Sequence, residues 1–372
     1  MKTLVISSSP IIVKDNQYYA YSPYVNELEI WAKYSSSISF SCPIWYDDKG
    51  LLISKINFPI ESITPIDEFN MKSFSGIIKG FQHLFSTLFK LFSTIKKTEH
   101  LHLRCPGNIA LLGCIVQILF PNKYKTAKYA GNWDPKSSQP ISYKLQKFIL
   151  ENTFITKNCK VLVYGKWKNS SKNIKSFFTA TYLEKEKEPI LDKTLDQVIQ
   201  FTFVGTLVKG KRPLYAIKLV EKLKSLNKNV QLSLYGNGYD NASLQEYCEH
   251  NNLKNTIIFK GNQPKDVIKK AYQESHFVIL PSKSEGWPKA IAEGMFWGAL
   301  PIATNISCVS YMLNNNKRGI MLTMNLEKDV EKISALLNNE ISYNEKRNEA
   351  IEWSRQFTVD YFESEIKLLL KA

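Results

Sequence analysis

Two glutamates with seven residues between them, Glu285 and Glu293, lie in the stretch that runs from Pro281 to Pro301, and the apolar run Phe277 to Leu280 leads straight into it. That order implies a strand, a tight loop that carries the first carboxylate and a helix that carries the second. Gly286 and Pro288 allow backbone N–H groups to approach an anion at the helix start, where unpaired donors and the dipole favour negative charge. Such a corner suits a sugar diphosphate. Eight positions along a helix make slightly more than two turns, so Glu293 falls on roughly the face of the loop and can grip a second part of one extended ligand. About 80 residues upstream, Lys209, Lys211 and Arg212 precede another helix. Cations there oppose the macrodipole, and an anionic ligand would give them a reason.

A series of strand–helix units has to position these groups. Phe201 to Gly205 reads as a strand, residues 206–213 as a loop and Leu214 to Leu226 as a helix. Val230 to Gly238 alternates and ends in Gly236 and Gly238, a helix follows from Ala242 to His250, a strand from Thr256 to Gly261, and a helix from Lys265 to Glu274. Ligands of open α/β sheets lie beyond the carboxyl ends of the strands, which is where Gly205, Gly236, Gly261 and Glu285 all fall.

The loop-borne Glu285, the helical Glu293 and the run Gly298 to Pro301 resemble the retaining GT-B glycosyltransferases of family 4, the group 1 glycosyl transferases. The resemblance implies two Rossmann-like domains facing a central cleft, with the C-terminal helix crossing back to the N-terminal domain. It puts the acceptor on residues 1–185, joined by 351–372, and the nucleotide sugar on residues 195–350, with the charged, proline-ended segment Thr179 to Pro189 between them as a linker. Trp353, Phe357 and Phe362 would anchor the returning tail. Lys211 matches the lysine that neutralises the donor diphosphate in the family, whereas Thr206 stands where an arginine is usual, so that Lys209 or Arg212 would supply the missing cation. By the same resemblance Glu285 and Lys211 are the catalytic residues, and Gly205, Thr206, Arg212, Gly236, Gly286, Trp287, Pro288, Lys289 and Glu293 bind the donor, Glu293 through its ribose. No cofactor and no metal is implied, because protein cations and helix dipoles can stabilise a departing diphosphate.

For the acceptor the pattern is thinner. His102, Arg104 and Asn108 end a strand, and the loop Lys128 to Asp134 offers Asn132 and Trp133 where many relatives carry a histidine. Tyr18, Tyr19, Tyr21 and Tyr24 are candidates for stacking on sugar. Six cysteines without paired spacing suggest neither zinc nor disulfides. Thr3 to Ser7 is too short for a signal h-region, and no stretch is long and apolar enough for a transmembrane helix, so a cytoplasmic protein is expected.

An excess of 49 Lys+Arg over 34 Asp+Glu, a net charge of +15, favours anionic partners. The lysines are dispersed and no nucleic-acid motif accompanies them, so nucleic acid is not expected. From Met71 to Lys97, apolar residues at helical spacing alternate with lysines, a pattern that serves a helix packed on a sheet or one in peripheral contact with an anionic membrane at its inner face. The function that follows is transfer of a sugar from a nucleoside-diphosphate donor to a carbohydrate or lipid-linked glycan, in cell-surface polysaccharide biosynthesis. The alternatives are a GT-B-like protein that binds nucleotide or glycan without turnover, and an epimerase or phosphorylase on the same scaffold.

Overall fold

The computed structural model describes residues 1–68 and 74–371, with the side chains of residues 1–68 and 84–370. The chain forms two compact units, Met1–Phe177 together with Phe362–Ala372, and Phe178–Tyr361.

In chain order the first unit holds β1 (Lys2–Ser7), β2 (Ile11–Lys14), β3 (Gln17–Tyr21), α1 (Ser22–Lys33), β4 (Ser37–Cys42), β5 (Ile44–Trp45), β6 (Ile53–Lys55), β7 (Ile60–Pro65), α2 (Phe74–Lys97), β8 (His100–Cys105), α3 (Asn108–Val116), β9 (Tyr124–Tyr129), α4 (Ile141–Glu151), β10 (Cys159–Tyr164) and β11 (Ile174–Phe177). Seven strands pair in parallel in the order β11-β10-β9-β8-β1-β4-β7, and a small sheet, β5-β2-β3-β6, stands beside them. The central strands are buried on both faces although they are not purely apolar, His102 of β8 and Lys128 of β9 being buried along with their apolar neighbours. Leu4 and Ile6 of β1 belong to a core closed by α2, α3 and α4, whereas Val5 belongs to the one closed by α1. Strand order reverses between β1 and β8, so the loops that leave these two strands open the crevice in which such sheets bind ligands. The tyrosines grouped near residue 20 are divided by this arrangement. Tyr18, Tyr19 and Tyr21 lie on β3, and Tyr24 is buried on α1.

The second unit holds β12 (Ile199–Val204), α5 (Pro213–Ser225), β13 (Val230–Tyr235), α6 (Asn241–His250), β14 (Ile257–Gly261), α7 (Lys265–Glu274), β15 (Phe277–Leu280), α8 (Lys289–Phe296), β16 (Leu300–Thr304), α9 (Val309–Met312), β17 (Ile320–Leu322), α10 (Leu326–Leu337) and α11 (Glu340–Ser354). Its six parallel strands run β14-β13-β12-β15-β16-β17, again with a reversal, here between β12 and β15. Helix α5 begins at Pro213, one residue before the expected start, since a proline at the first helical position loses no hydrogen bond.

Two boundaries differ from expectation. Thr179 to Pro189 belongs to the second unit rather than linking the two. Its charges are engaged there, Glu186 with Lys265 at 3.0 Å and Glu188 with Lys269 at 2.5 Å, and the Glu184 N–H donates to Asp360 at 2.6 Å. The return to the first unit begins at Phe362, not at 351. Trp353 and Phe357 pack on Trp287 inside the second unit, with ring centroids 6.1 and 5.6 Å away. Phe362, on the last helix α12 (Val359–Lys371), packs on Phe177 of the first at 5.3 Å. The six cysteines are all free and buried. Among the described residues, no helix is long and apolar enough to cross a membrane.

Candidate functional site

In the second unit, the loops after β12 and β15 flank the point where strand order reverses. Three contacts hold them together: Lys283 N–H donates to the Gly210 carbonyl at 2.8 Å, Arg212 Nη1 to the Pro281 carbonyl at 3.4 Å, and Lys211 Nζ lies 2.5 Å from Glu285 Oε1. Glu285 is nearly buried and Lys211 only partly, so the ion pair presents an ammonium at the rim and a carboxylate beneath it. Arg212 caps α5 in the left-handed region, with φ 53°. Lys209 and Thr206 are exposed.

The remaining donor candidates fix backbone. The Gly286 carbonyl accepts from Ser307 Oγ at 3.0 Å and Cys308 Sγ at 3.2 Å, which pins the loop ahead of α8. Pro288 caps that helix and Lys289 opens it. Trp287 contributes backbone only, since its indole is buried against Trp353 and Phe357. Gly205 and Gly236 lie back to back, the Gly205 N–H donating to the Tyr235 carbonyl at 2.9 Å. A Cβ on Gly236 would come within 2.0 Å of the Gly205 carbonyl oxygen, and its φ of 134° disfavours any other residue. Gly236→Ala is therefore expected to cost about 1–3 kcal/mol in the second unit, read as a lower urea midpoint, and to displace the loop carrying Thr206. An unchanged midpoint would show that the two loops do not need this close approach.

Glu293 is also on α8, and its environment differs from that of Glu285. Its carboxylate accepts from Thr181 Oγ1 at 2.7 Å. Burial raises it above the ordinary carboxyl value, against the opposing pull of the Thr181 hydroxyl, Lys289 and Lys265. The space beside it, lined by Thr179, Thr181, Tyr182, Trp287 and Lys289 among others, amounts to ≈ 20 Å³. That is room for about one water. Thr181 occupies one carboxylate oxygen of Glu293, and the space beside it is too small for a sugar ring. Thr181 has no sequence motif to mark it, and a linker-like run of charges follows it.

The first unit sorts its candidates less kindly. His102 is fully buried in β8, with Nδ1 2.8 Å from Thr126 Oγ1 and its ring 4.2 Å from Trp31. Burial, with Arg104 and His100 nearby, holds its imidazole well below the usual value and therefore neutral. The expected contact with acceptor is corrected: His102 is a core residue, because alternate positions of a central strand face the two covering helical layers. Trp133 is corrected likewise, being buried edge-on against Tyr129 at 4.8 Å. Asn132 uses its side-chain oxygen to accept the Asp134 N–H at 2.9 Å, closing its own turn.

Arg104 and Asn108 fare better. Arg104 lines an opening of ≈ 320 Å³ with Ser7, Ser8, Trp45 and Glu68, and Asn108 lines one of ≈ 570 Å³ with Ser8, Gly107 and Tyr143. Both openings lie at the carboxyl ends of β1 and β8, the reversal point of this sheet. Beneath them Glu27 of α1 receives Arg104 on one oxygen and Lys128 of β9 on the other, the latter at 2.5 Å. Burial by itself would raise the Glu27 carboxyl, but the two cations outweigh it and hold it below the ordinary range. Ser7 to Pro10 and Tyr143 had no chemical signature in the sequence; only the strand order marks them.

Residues 184–357 match the family described as glycosyl transferases group 1. Protein CapJ of Staphylococcus aureus is 24% identical in an alignment spanning 94% of this chain and 89% of the relative. Over 28% of this chain and 30% of the relative, identity is 30% with the capsular polysaccharide biosynthesis glycosyltransferase CapH of Staphylococcus aureus. Among solved structures, Anabaena HepE in complex with UDP and glucose superposes with a TM-score of 0.69 at 13% identity, all of both chains being covered. Other similar structures are longer, and of these the chain spans 58% to 59%. The fold is GT-B, built from two Rossmann-like units.

Proposed function

We propose, taking the GT-B fold and the group 1 match of residues 184–357 as the premise, that this chain is a retaining glycosyltransferase of family 4 acting in surface polysaccharide biosynthesis. CapH is named for capsular polysaccharide biosynthesis, and HepE was solved with UDP and glucose, which makes a UDP-sugar the first donor to test. The observation that carries the proposal is the Lys211–Glu285 pair at the reversal of the second sheet, next to the start of α8. A diphosphate entering there would take Lys211 from Glu285. The ammonium and the α8 amides would face the phosphates, and the freed carboxylate would face the sugar.

In the transfer step the bond from the anomeric carbon to the diphosphate oxygen breaks, and the electron pair stays on the diphosphate. An acceptor hydroxyl forms its bond to the anomeric carbon on the same face, and its proton passes to the departing diphosphate. Glu285 stabilises the positive charge that gathers on the ring carbon. Lys211 with Arg212 takes up the charge on the leaving group, a task that in this scheme falls to protein cations without a bound metal. Glu293 would hold the ribose once Thr181 has moved. A carbohydrate or lipid-linked glycan acceptor would occupy the openings by Ser8, Arg104 and Asn108.

The test is thermal stabilisation by UDP, GDP, ADP, dTDP and CMP, with Lys211→Ala beside the wild type. One diphosphate is expected to raise Tm, by an amount equivalent to about 2.7 kcal/mol at a hundredfold excess over Kd, and the variant to lose most of that response. If no nucleotide moves the Tm of folded protein, the donor site is wrongly assigned. Binding without consumption of any nucleotide sugar would instead favour the non-catalytic alternative, to which the exposed Thr206 and the occupied Glu293 carboxylate point.

A further inference from the structure

The second unit begins with a strap, Phe178 to Pro189, that lies on α7 and α8. Most of it is held without help from Glu293. The Tyr182 ring stacks on Phe296 at 5.1 Å and meets Trp297 edge-on at 5.0 Å, with the Lys265 ammonium 4.7 Å from its centre. The Tyr182 carbonyl accepts the Val359 N–H at 2.9 Å, and Glu188 accepts from Gln273 Nε2 at 2.8 Å. Phe178 stacks on Tyr361 at 5.1 Å. Thr181 is the one residue of the strap that reaches the pair of spaced glutamates, by donating its hydroxyl to Glu293.

The two glutamates are balanced differently. Glu285 has Lys211 at 2.5 Å, whereas among the described residues no lysine or arginine forms an ion pair with Glu293, on which Lys289 and Lys265 act through space. A carboxylate withdrawn from water and met by a hydroxyl instead of a cation costs stability. Holding the strap does not call for that charge, since a hydroxyl also pairs with a neutral amide. The partner that Thr181 supplies is an alcohol on a saturated carbon, the same donor that a ribose hydroxyl would present. The ≈ 20 Å³ beside the carboxylate holds about one water, so the seated strap leaves no place for the ring that would carry such a hydroxyl.

We propose that Thr181 is an internal competitor of the nucleotide: its hydroxyl takes the place of a ribose hydroxyl on Glu293, and the strap lifts from α8 when the donor binds. This rests on the assignment of the donor site to Lys211, Glu285 and Glu293. The hydrogen bond to a charged group makes the seated strap the dominant state, and the apparent affinity for nucleotide falls by the fraction of molecules in which the strap is raised. Thr181 thereby sets the donor concentration at which the enzyme works without touching the donor.

The full chain would be titrated calorimetrically with UDP, GDP, ADP and inorganic pyrophosphate, the last offering the charge without the ribose. Thr181→Val, which keeps the shape and removes the donor, is expected to bind the recognised nucleoside diphosphate about five- to tenfold more tightly and pyrophosphate with unchanged affinity. Its Tm without ligand is expected to fall, so that stability and affinity move in opposite directions, whereas a threonine that only shapes the site would lower both. Thr181→Ser, which retains the hydroxyl, should bind as the wild type does, and Thr181→Ala substitutes if the valine variant does not fold. Nucleotide affinity that is equal or weaker in the variant overturns the proposal while leaving the donor site in place, and so does an equal gain for pyrophosphate. Wild type and variant that both bind none of the diphosphates overturn the donor-site assignment itself, and the competitor with it.

Discussion

Lys211→Ala is expected to lower kcat/KM for sugar transfer by about two to three orders of magnitude, the usual effect of removing one preorganised donor from a developing negative charge. The ammonium is partly exposed and bound to Glu285 at 2.5 Å, so its removal leaves no hole in the core, but the nearly buried Glu285 loses its cation and the melting temperature without nucleotide should fall modestly. The same contact raises a second explanation, in which Lys211 only keeps Glu285 ionised and oriented. The two are separable by a double-mutant cycle. If Lys211 meets the diphosphate and Glu285 the sugar, Glu285→Gln and the double variant lose activity in steps that partly add, and Lys211→Arg recovers much of nucleotide binding. If Lys211 serves Glu285 alone, the double variant is no worse than Glu285→Gln and nucleotide binding survives the loss of Lys211.

Glu27→Gln should have the largest effect on stability, about 3–5 kcal/mol, because it removes the carboxylate that Arg104 and the fully buried Lys128 both engage. For a unit of this size that corresponds to a fall in Tm of roughly ten degrees. The pH dependence follows from the direction of the shift. The folded carboxyl lies below its unfolded value, so its contribution is complete above the ordinary carboxylate range and is lost as pH falls through the lowered folded value. The wild type should therefore lose stability in acid more steeply than the variant. Parallel acid limbs of the two unfolding curves would mean that Glu27 is not the anion that balances these cations.

The second unit was the legible half. Apolar runs bounded by glycine and proline marked β12, β13 and β15, and the Glu285–Glu293 spacing needs only local geometry to be understood. The first unit resisted because its site is made by topology. Ser8 and Asn108 are a hundred residues apart in the chain and share an opening only because β1 pairs with β8. His102 misled for the same reason: a strand-end histidine looks accessible until the helices on both faces are known. The amphipathic reading of Met71 to Lys97 fell between these cases. Residues 71–73 lie outside the described residues, and from Leu84 onward the apolar residues divide between the core and the outer face, which spacing alone does not foretell.

The two units differ in how they are delivered by the ribosome. The second is one continuous run, whereas the first takes Phe362, Ile366 and Leu369 into its core from beyond it. Synthesis therefore releases the whole of the second unit before the first has received its last buried residues, and the first must wait with an apolar slot beside Phe177 and Lys128 unfilled. Of the two units, the first is therefore the one left open longest in a nascent chain.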